Sequence, residues 1–322
     1  MIDYDTLSRR PSAFRSMTGF SVELFHSFFL AVSRAYEDQK YASQTTKRDG
    51  QPRQRAPGAG RPFAHDLRDR LLMTLLWLRI YPTFEVLGFL FDLHRANARD
   101  NVVEVLAVLE TLADFSFERP SRERRKRRSV REVMDAFPDV CLVIDAKEQR
   151  IRRPKSTKEE DHQKPYYSGK KKCHTLKSQI GVEPDGQVGA VSASVPGGAV
   201  HDLTLLRQTG LIGELATEGE AGMMDKGYVG ITKDYPEHRL YLPFKATRGH
   251  PLTAEQKAYN ALLAKYRVVA EHTLAQMNQF QVLAQVFRHA RESHGRIVRV
   301  VGMLVNRRVQ VRPLASYAAP SA

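Results

Sequence analysis

The chain has 322 residues, of which 42% are hydrophobic, a length sufficient for two domains and a sizeable buried core. Lys and Arg number 50 against 36 Asp and Glu, so the net charge is +14, which predicts nucleic acid rather than a membrane as partner. The two cysteines, Cys141 and Cys173, form no CxxC pattern, which argues against a disulfide scaffold or a structural zinc site.

Residues 1–115 are predicted to form a helical DNA-binding domain. Asp66 is placed to cap an apolar-periodic helix, Thr83 caps a short second helix, and a tight break leads to a third helix from Arg95 to Leu112. This order is typical of a helix-turn-helix, which we place at about 66–112. An ordinary three-helix bundle has the same periodicity and remains the alternative.

The third helix is predicted to contact DNA through its N-terminal outer face. Arginine pairs with guanine edges and asparagine with adenine edges, and both can hold phosphates. Solvated polar residues are the alternative interpretation. The predicted contact residues are Arg95, Asn97, Arg99 and Asn101.

A dense basic run occupies the predicted linker, 116–139. Such runs are usually solvated and flexible. Between two DNA-contacting domains, this one is expected to follow the duplex backbone by displacing counterions. Its candidate contacts are Arg124, Arg125 and Arg127.

The second domain is predicted at 140–310, followed by a tail at 311–322. The apolar run Val140–Asp145 predicts a buried strand that ends in a carboxylate. Two alternating runs joined by a Pro-Asp-Gly turn extend it into an antiparallel meander, and further strands then alternate with helices. This order predicts an α/β fold, a ribonuclease H-like core with a mixed five-stranded sheet flanked by helices.

Three acids in this domain suggest a metal site. Asp145 ends the first strand, Asp225 ends another short apolar run, and Glu271 lies within a later helix. Mg²⁺ prefers carboxylate oxygens, and two such ions about 4 Å apart can activate the attacking oxygen and stabilise the leaving oxygen of a phosphodiester. The chain contains no phosphate-loop, GxSxG or HExxH motif. A divalent-metal site for cutting nucleic acid is therefore the leading hypothesis.

Each acid also has a plainer interpretation. Asp145 and Asp225 could be turn formers, and Glu271 could form a surface ion pair with Arg267 one helical turn earlier. Helical spacing nevertheless favours an inward-pointing Glu271. It shares one stripe with Ala264, Val268, Leu274 and Ala275.

Several motifs together identify a family. They are the strand end Ile144–Ala146, the block Tyr166–Lys177, the pair His201-Asp202, the run Asp225–Tyr228 and the helical segment Arg267–Glu271. With these motifs, the chain from about Phe63 to Leu314 resembles the DDE-type transposases of bacterial insertion sequences, in the group related to the eukaryotic Harbinger elements.

The resemblance implies a function and its cofactor. Asp145, Asp225 and Glu271 would bind two Mg²⁺ ions, with Mn²⁺ as a substitute, and catalyse DNA cleavage and strand transfer. The expected partners are double-stranded DNA, as terminal inverted repeats and target, and at least a second copy of the chain, because two ends are joined. We expect a cytoplasmic, nucleoid-associated bacterial protein without a membrane span.

Basic and aromatic residues are expected around the acids. A set that suits backbone gripping and base stacking, with a solvated loop as the alternative, comprises Tyr167, Lys170, Lys171, Lys172 and Lys177. His201, Asp202 and Arg267 are expected to border the metal site, and helix capping is the alternative for Asp202.

The chain departs from the family pattern around the glutamate. Ala264 stands where a tyrosine is expected, and Asn278 stands where a lysine that grips DNA near the cut is expected. Lys265 is a candidate replacement for that lysine. These departures keep open a relative that binds DNA without cleaving it, and a nuclease acting on RNA or structured DNA is a third hypothesis.

Overall fold

The computed structural model describes residues 1–45, 51, 63–113, 136–155, 162–198, 200–215 and 219–311. The chain divides into two units, Met1–Asp114 with Phe280–Val282, and Phe115–Gln279 with Leu283–Ala322. Most of the predicted basic linker lies outside the described residues, including Arg124, Arg125 and Arg127.

The first unit is helical throughout its described part. Its helices are α1 (Tyr4–Ser8), α2 (Pro11–Thr18), α3 (Val22–Thr45), α4 (Leu67–Ile80), α5 (Phe84–Leu90) and α6 (Arg95–Thr111). The two predicted N-caps are confirmed. The Asp66 carboxylate accepts a hydrogen bond from the Asp69 amide at 2.9 Å, and the Thr83 hydroxyl accepts one from the Val86 amide at 3.3 Å. Each cap satisfies an amide that the helix itself leaves unpaired.

Helix α4 forms the centre of this unit and carries one buried cation. Arg70 is only 2% exposed. Its guanidinium lies 3.0 Å from the Glu104 carboxylate and donates to the Tyr36 hydroxyl at 3.0 Å. The Glu104 carboxylate compensates the Arg70 charge, which would otherwise be costly inside the core. Together the contacts with Tyr36 and Glu104 join α3, α4 and α6.

The second unit contains a mixed sheet of seven strands in its described residues. The strands are β1 (Val140–Arg150), β2 (Tyr167–Ser168), β3 (Cys173–Val182), β4 (Val188–Val191), β5 (Val195–Pro196), β6 (Ala221–Met223) and β7 (Arg239–Tyr241). Their order is β2-β3-β1-β6-β7, and β4 and β5 also pair with β3. The predicted five-stranded sheet is thus corrected to seven strands, because β2 and β5 have two residues each and are too short to show a periodic pattern.

The antiparallel meander is confirmed, and its turn depends on glycine. β1 pairs antiparallel with β3, and β3 pairs antiparallel with β4. Gly186 in the connecting turn has φ of 86°, a left-handed conformation that residues with a Cβ adopt only at a cost. By contrast, β1 pairs parallel with β6. Strand β1 therefore has an antiparallel neighbour, β3, on one side and a parallel neighbour, β6, on the other.

The remaining described α-helices are α7 (Asp202–Thr209), α8 (Ala254–Asn278) and α10 (His294–Val311) of the second unit, and α9 (Gln281–Ala284), whose first two residues belong to the first unit. Leu142 and Ile144 of β1 enter an apolar cluster with Leu206 of α7. The alternate residues of β1 instead meet α8 and α10, as the contacts of Asp145 and Gln149 show. No helix among the described residues has the length and apolar character needed to cross a bilayer.

Candidate active site

The parallel pairing of β1 and β6 places two of the predicted acids side by side. Val143 pairs with Met223, and Asp145 and Asp225 each lie two residues beyond that pair. The expectation that β1 ends at Asp145 is wrong, since the strand continues to Arg150. It continues because β3 provides an antiparallel partner along residues 143–150, while β6 stops at Met223. Asp145 therefore marks the end of the parallel pairing, where the chains diverge and a cleft can form.

A cleft of about 500 Å³ opens at this edge of the sheet. Both aspartates line it, and charged groups of both signs surround them. The charged side chains that line it include Asp145, Asp202, Asp225, Lys170, Lys171 and Lys177. A pocket with these groups can bind a cation and a polyanion together.

Gly227 allows two carboxylates to approach each other. The Asp225 carboxylate accepts a hydrogen bond from the Gly227 amide at 2.8 Å. A Cβ at Gly227 would lie 2.9 Å from Asp202 Oδ2 and 3.0 Å from Asp225 Oδ1. The glycine therefore leaves the space in which these two acids converge.

Side-chain cations compensate two of the acids. Arg267 Nη2 lies 3.6 Å from Asp145 Oδ2. Lys177 Nζ lies 2.9 Å from Asp202 Oδ1 and donates to the Val200 carbonyl at 3.0 Å. Lys177 and Asp202 are 25 residues apart on different elements, so no local spacing in the sequence indicates this pair.

The environment of Asp145 raises the pKa of its carboxyl group above the ordinary value. Burial is the main cause, and the negative charges of Asp225 and Asp202 act in the same direction. The Arg267 guanidinium and the Ala146 amide, which donates to Asp145 Oδ1 at 2.8 Å, oppose the rise. A bound cation would stabilise the ionised form further, as expected of an acid placed to hold one.

Glu271 does not point inward as predicted. It is exposed, and the buried stripe of α8 is Leu263, Tyr266, Ala270, Thr273 and Met277. The predicted stripe is displaced because Thr273, a polar residue, is buried and donates its hydroxyl to the Gly186 carbonyl at 2.9 Å. Among the described residues, no three His, Cys, Asp or Glu side chains lie close enough to hold a metal ion.

Glu271 nevertheless lies on the face of α8 that meets β1. Arg267 contacts Asp145, and Asn278 accepts a hydrogen bond from Lys147 of β1. Glu271 falls between these two contacts on the same helical face, one turn of about 5.4 Å after Arg267. Lys147 of β1 thus lies beside Asn278, and the exposed Lys265 stays a candidate for gripping DNA.

The donor chemistry of the cleft fits a divalent cation. Asp145 and Asp225 supply hard oxygens from neighbouring strands, which Mg²⁺ prefers. Asp145 already attracts a guanidinium, and Asp202 attracts an ammonium. The sheet itself positions Asp145 and Asp225, whereas Glu271 lies on a separate helix, is exposed and does not line the cleft.

The tyrosine and lysine block forms a hairpin beside the cleft. Tyr167 and Ser168 of β2 pair with His174 and Cys173 of β3, and the intervening lysines are exposed. Lys170 and Lys171 line the cleft, and Lys172 adopts a left-handed φ of 53°. Tyr167 is 46% exposed and packs edge-on against His174. The exposed lysines and tyrosine suit contact with a polyanion, while Lys177 is held by Asp202.

His201 and Asp202 have different roles from simple capping. His201 is the N-cap residue of α7, but its side chain makes no capping hydrogen bond. Asp202 is the first residue of the helix, and its carboxylate faces the cleft and Lys177. The capping alternative for Asp202 is therefore not what the structure shows.

The first unit presents part of the predicted DNA-contacting face. Arg95, Asn97 and Arg99 are exposed on α6. The prediction for Asn101 is wrong: it is 4% exposed, because its amide donates to the Asn97 carbonyl at 2.7 Å and the side chain folds onto its own helix. Arg95 and Arg99 also line a cavity of about 410 Å³ that lies between the first residues of α5 and those of α6.

Comparisons with known proteins agree with these observations. The sequence profile of the DDE superfamily endonucleases matches residues 144–306. The chain is also 29% identical over 232 residues to the probable transposase for insertion sequence element IS702 of Microchaete diplosiphon, covering 71% of this chain and 76% of that protein. No protein of known structure matches the chain significantly.

Proposed function

Because the chain belongs to the DDE superfamily endonucleases, we propose that it is a DNA transposase. It binds the terminal inverted repeats of a mobile element, cleaves phosphodiester bonds and transfers the freed 3′-hydroxyl ends to target DNA. The observation that carries this proposal is the pairing geometry at the sheet edge. Asp145 and Asp225 each lie two residues after the last parallel pair of β1 and β6 and face a cleft that exposed lysines border.

The proposed site divides the work among this chain's own residues. Asp145 and Asp225 hold the divalent cations, Mg²⁺ or Mn²⁺, and Glu271 completes the ligand set from α8. Two such ions supply charge stabilisation for the attacking and leaving oxygens of the phosphodiester. Lys170 and Lys171 hold the phosphates of the strand in the cleft. Water is the attacking group in cleavage, and the DNA 3′-hydroxyl takes its place in strand transfer.

DNA recognition is assigned to the helical unit. The exposed residues Arg95, Asn97 and Arg99 would read or hold the terminal repeat as part of a helix-turn-helix. The basic linker would follow the backbone. Joining two element ends requires at least a dimer in the working complex. Action on chromosomal DNA implies a cytoplasmic protein associated with the nucleoid.

A relative that binds DNA without cleaving it is the second candidate. The position of Glu271 favours this candidate, since the residue is exposed and is not among those that line the cleft. The two candidates make the same prediction for DNA binding. They differ in whether matched ends are cut in the presence of a divalent cation.

The deciding experiment uses the full chain, Mg²⁺ and duplexes that carry the inverted repeats flanking its coding region. We expect Asp145→Asn and Asp225→Asn each to lower the cleavage rate by about a hundredfold or more, while gel-shift affinity for the repeats is kept. Asp234→Asn is the matched control, because Asp234 is an aspartate of the same unit whose partner is Arg207, outside the cleft. Unchanged nicking by both cleft variants contradicts the assignment, and absence of cleavage by the wild type favours the second candidate.

A further inference from the structure

Asp202 has a place in the cleft that the three family acids do not account for. We propose that Asp202 is a further ligand of the divalent cation, and that the Lys177 ammonium is the counter-ion which the cation displaces from it. This inference rests on the proposed function, because it assigns another residue to the same site. It also gives Lys177 two states, paired with Asp202 or released toward the substrate.

The first support is the convergence of carboxylates. Asp202 Oδ2 and Asp225 Oδ1 would lie 2.9 Å and 3.0 Å from a Cβ at Gly227, so both carboxylates border the space next to this glycine. Asp145 lines the same cleft. The charges of Asp202 and Asp225 both act on Asp145, and like charges in one cleft repel each other unless a cation compensates them. The acids do not lie close enough to enclose an ion by themselves, so a bound cation would draw them together. A divalent ion compensates more of this charge than a single ammonium does.

The second support is the way the structure holds Asp202. The Gln179 side-chain amide donates to the Asp202 carbonyl at 2.9 Å and to the Tyr228 hydroxyl at 3.0 Å. Gln179 also accepts from the Thr209 hydroxyl at 3.1 Å. Strand β3, helix α7 and the turn after Asp225 are thus fixed to one another. These bonds fix the backbone that carries the Asp202 carboxylate, and support from surrounding residues is how proteins position metal ligands before the ion arrives.

The third support is the chemistry of the cation already present. Lys177 Nζ is held by a carboxylate oxygen and a backbone carbonyl, 2.9 Å from Asp202 and 3.0 Å from Val200. Both are hard oxygen donors, which also suit Mg²⁺ and Mn²⁺. The Lys177 side chain is 13% exposed and lines the cleft. A divalent cation that enters the cleft would meet the same oxygens once the ammonium moves away, and the released ammonium remains in the cleft that Lys170 and Lys171 also line.

A permanent structural ion pair is the competing explanation, and Lys177 distinguishes the two. If the pair is structural, Lys177→Met leaves cation affinity unchanged or weakens it. If Lys177 competes with the cation, Lys177→Met strengthens binding, because the competitor is gone while the oxygens remain. Asp202→Asn removes the charge but keeps the shape of the side chain, and it weakens binding if Asp202 is a ligand.

The test is calorimetric titration of the full chain with Mn²⁺, which does not depend on cleavage. We expect Asp202→Asn to weaken Mn²⁺ binding about tenfold or more and Lys177→Met to strengthen it severalfold. Asp202→Asn with wild-type affinity overturns the ligand role, and Lys177→Met with equal or weaker affinity overturns the exchange. Asp234→Asn is again the control.

Two further measurements keep the result interpretable. Thermal unfolding without metal shows whether each variant folds, and if Asp202→Asn does not, Asp202→Glu replaces it. That variant keeps the charge but moves the carboxylate by one methylene, so weakened Mn²⁺ binding is again expected and unchanged binding overturns the ligand role. Asp145→Asn separates the two levels of inference. If Asp202→Asn alone binds like the wild type, only this inference fails; if Asp145→Asn does so too, the proposed cation site fails.

Discussion

Arg267 on α8 places its guanidinium 3.6 Å from the carboxylate of Asp145 on β1. This contact brings the helix that carries Glu271 against the strand that carries the first acid. It also supplies a positive charge to a half-buried carboxylate before any divalent ion is bound. The proposed role of Glu271 depends on this contact, because Glu271 follows Arg267 by one turn on the same face of α8.

A substitution of Glu271 allows an effect on the cleavage rate to be measured apart from an effect on stability. The side chain is exposed, and within the described residues it makes no hydrogen bond or ion pair. We therefore expect Glu271→Gln to change the free energy of unfolding by less than about 0.5 kcal/mol. If Glu271 completes the ligand set, cleavage falls by about a hundredfold. Glu292→Gln, an exposed glutamate of the same unit, is the control in the same nicking assay, and equal rates for the two variants would exclude Glu271 from the site.

Gly227 provides a steric test of the carboxylate pair. In Gly227→Ala the new Cβ would meet Asp202 Oδ2 at 2.9 Å and Asp225 Oδ1 at 3.0 Å, so the two acids must move apart. We expect weaker Mn²⁺ binding and slower cleavage. Gly213→Ala is the matched control, because a Cβ at Gly213 has no neighbour within 4 Å. Calorimetry and nicking rates that do not distinguish the two variants would show that the close approach has no role.

A buried histidine makes the second unit sensitive to acid. Both ring nitrogens of His294 are hydrogen-bonded. Nδ1 lies 2.7 Å from the Ser194 hydroxyl, and Nε2 lies 2.9 Å from the Gln149 side-chain oxygen. The Gln149 amide donates to the Gln285 carbonyl at 2.8 Å, so its oxygen faces His294 and requires the proton on Nε2. Burial, helped by the Lys147 charge, lowers the pKa of His294 from 6.5 to about 4.

The pH dependence follows from this depressed pKa. The unfolded chain binds a proton near pH 6.5 and the folded chain only near pH 4, so the stabilising contribution is complete above pH 6.5 and is lost as pH falls toward 4. We expect urea unfolding, followed by circular dichroism, to show this decline in the wild type. His294→Gln should flatten the decline, whereas His201→Gln, which changes an exposed histidine, should leave it unaltered. A slope that persists in His294→Gln would assign it to other groups.

The helical unit allows DNA affinity and folding to be tested separately. Arg95 and Arg99 are exposed. Among the described residues, the only ion pair of Arg99 is with the exposed Asp100 at 3.1 Å, and such an exposed pair contributes little to stability. Replacing either arginine by alanine should weaken repeat binding by about 1–3 kcal/mol without altering the unfolding transition. Asn101→Ala should instead affect stability, because its side chain is buried. Fluorescence anisotropy at fixed salt decides, and unchanged affinity in both arginine variants would remove α6 from the interface.

Local signals explain what could be predicted from sequence. Asp66 and Thr83 cap their helices through bonds to amides three residues away, and Gly186 permits a tight turn, so each depends only on its neighbours in the chain. The apolar runs before Asp145 and Asp225 identify two buried strands. The family motifs then connected both acids to one chemistry, although no local rule states that the two strands are adjacent.

The sequence by itself determined the helices α4 to α6 of the first unit, the meander, and the two buried strands that precede Asp145 and Asp225. The tertiary structure alone decided that Asn101 is buried, that Thr273 displaces the buried stripe of α8, and that Lys177 pairs with Asp202. Each of these depends on a partner brought close by packing or on a side chain that folds back onto its own helix. Residue order fixes which groups are available, but the free energy of burying a polar group depends on the partner it meets, and only the folded chain supplies that partner.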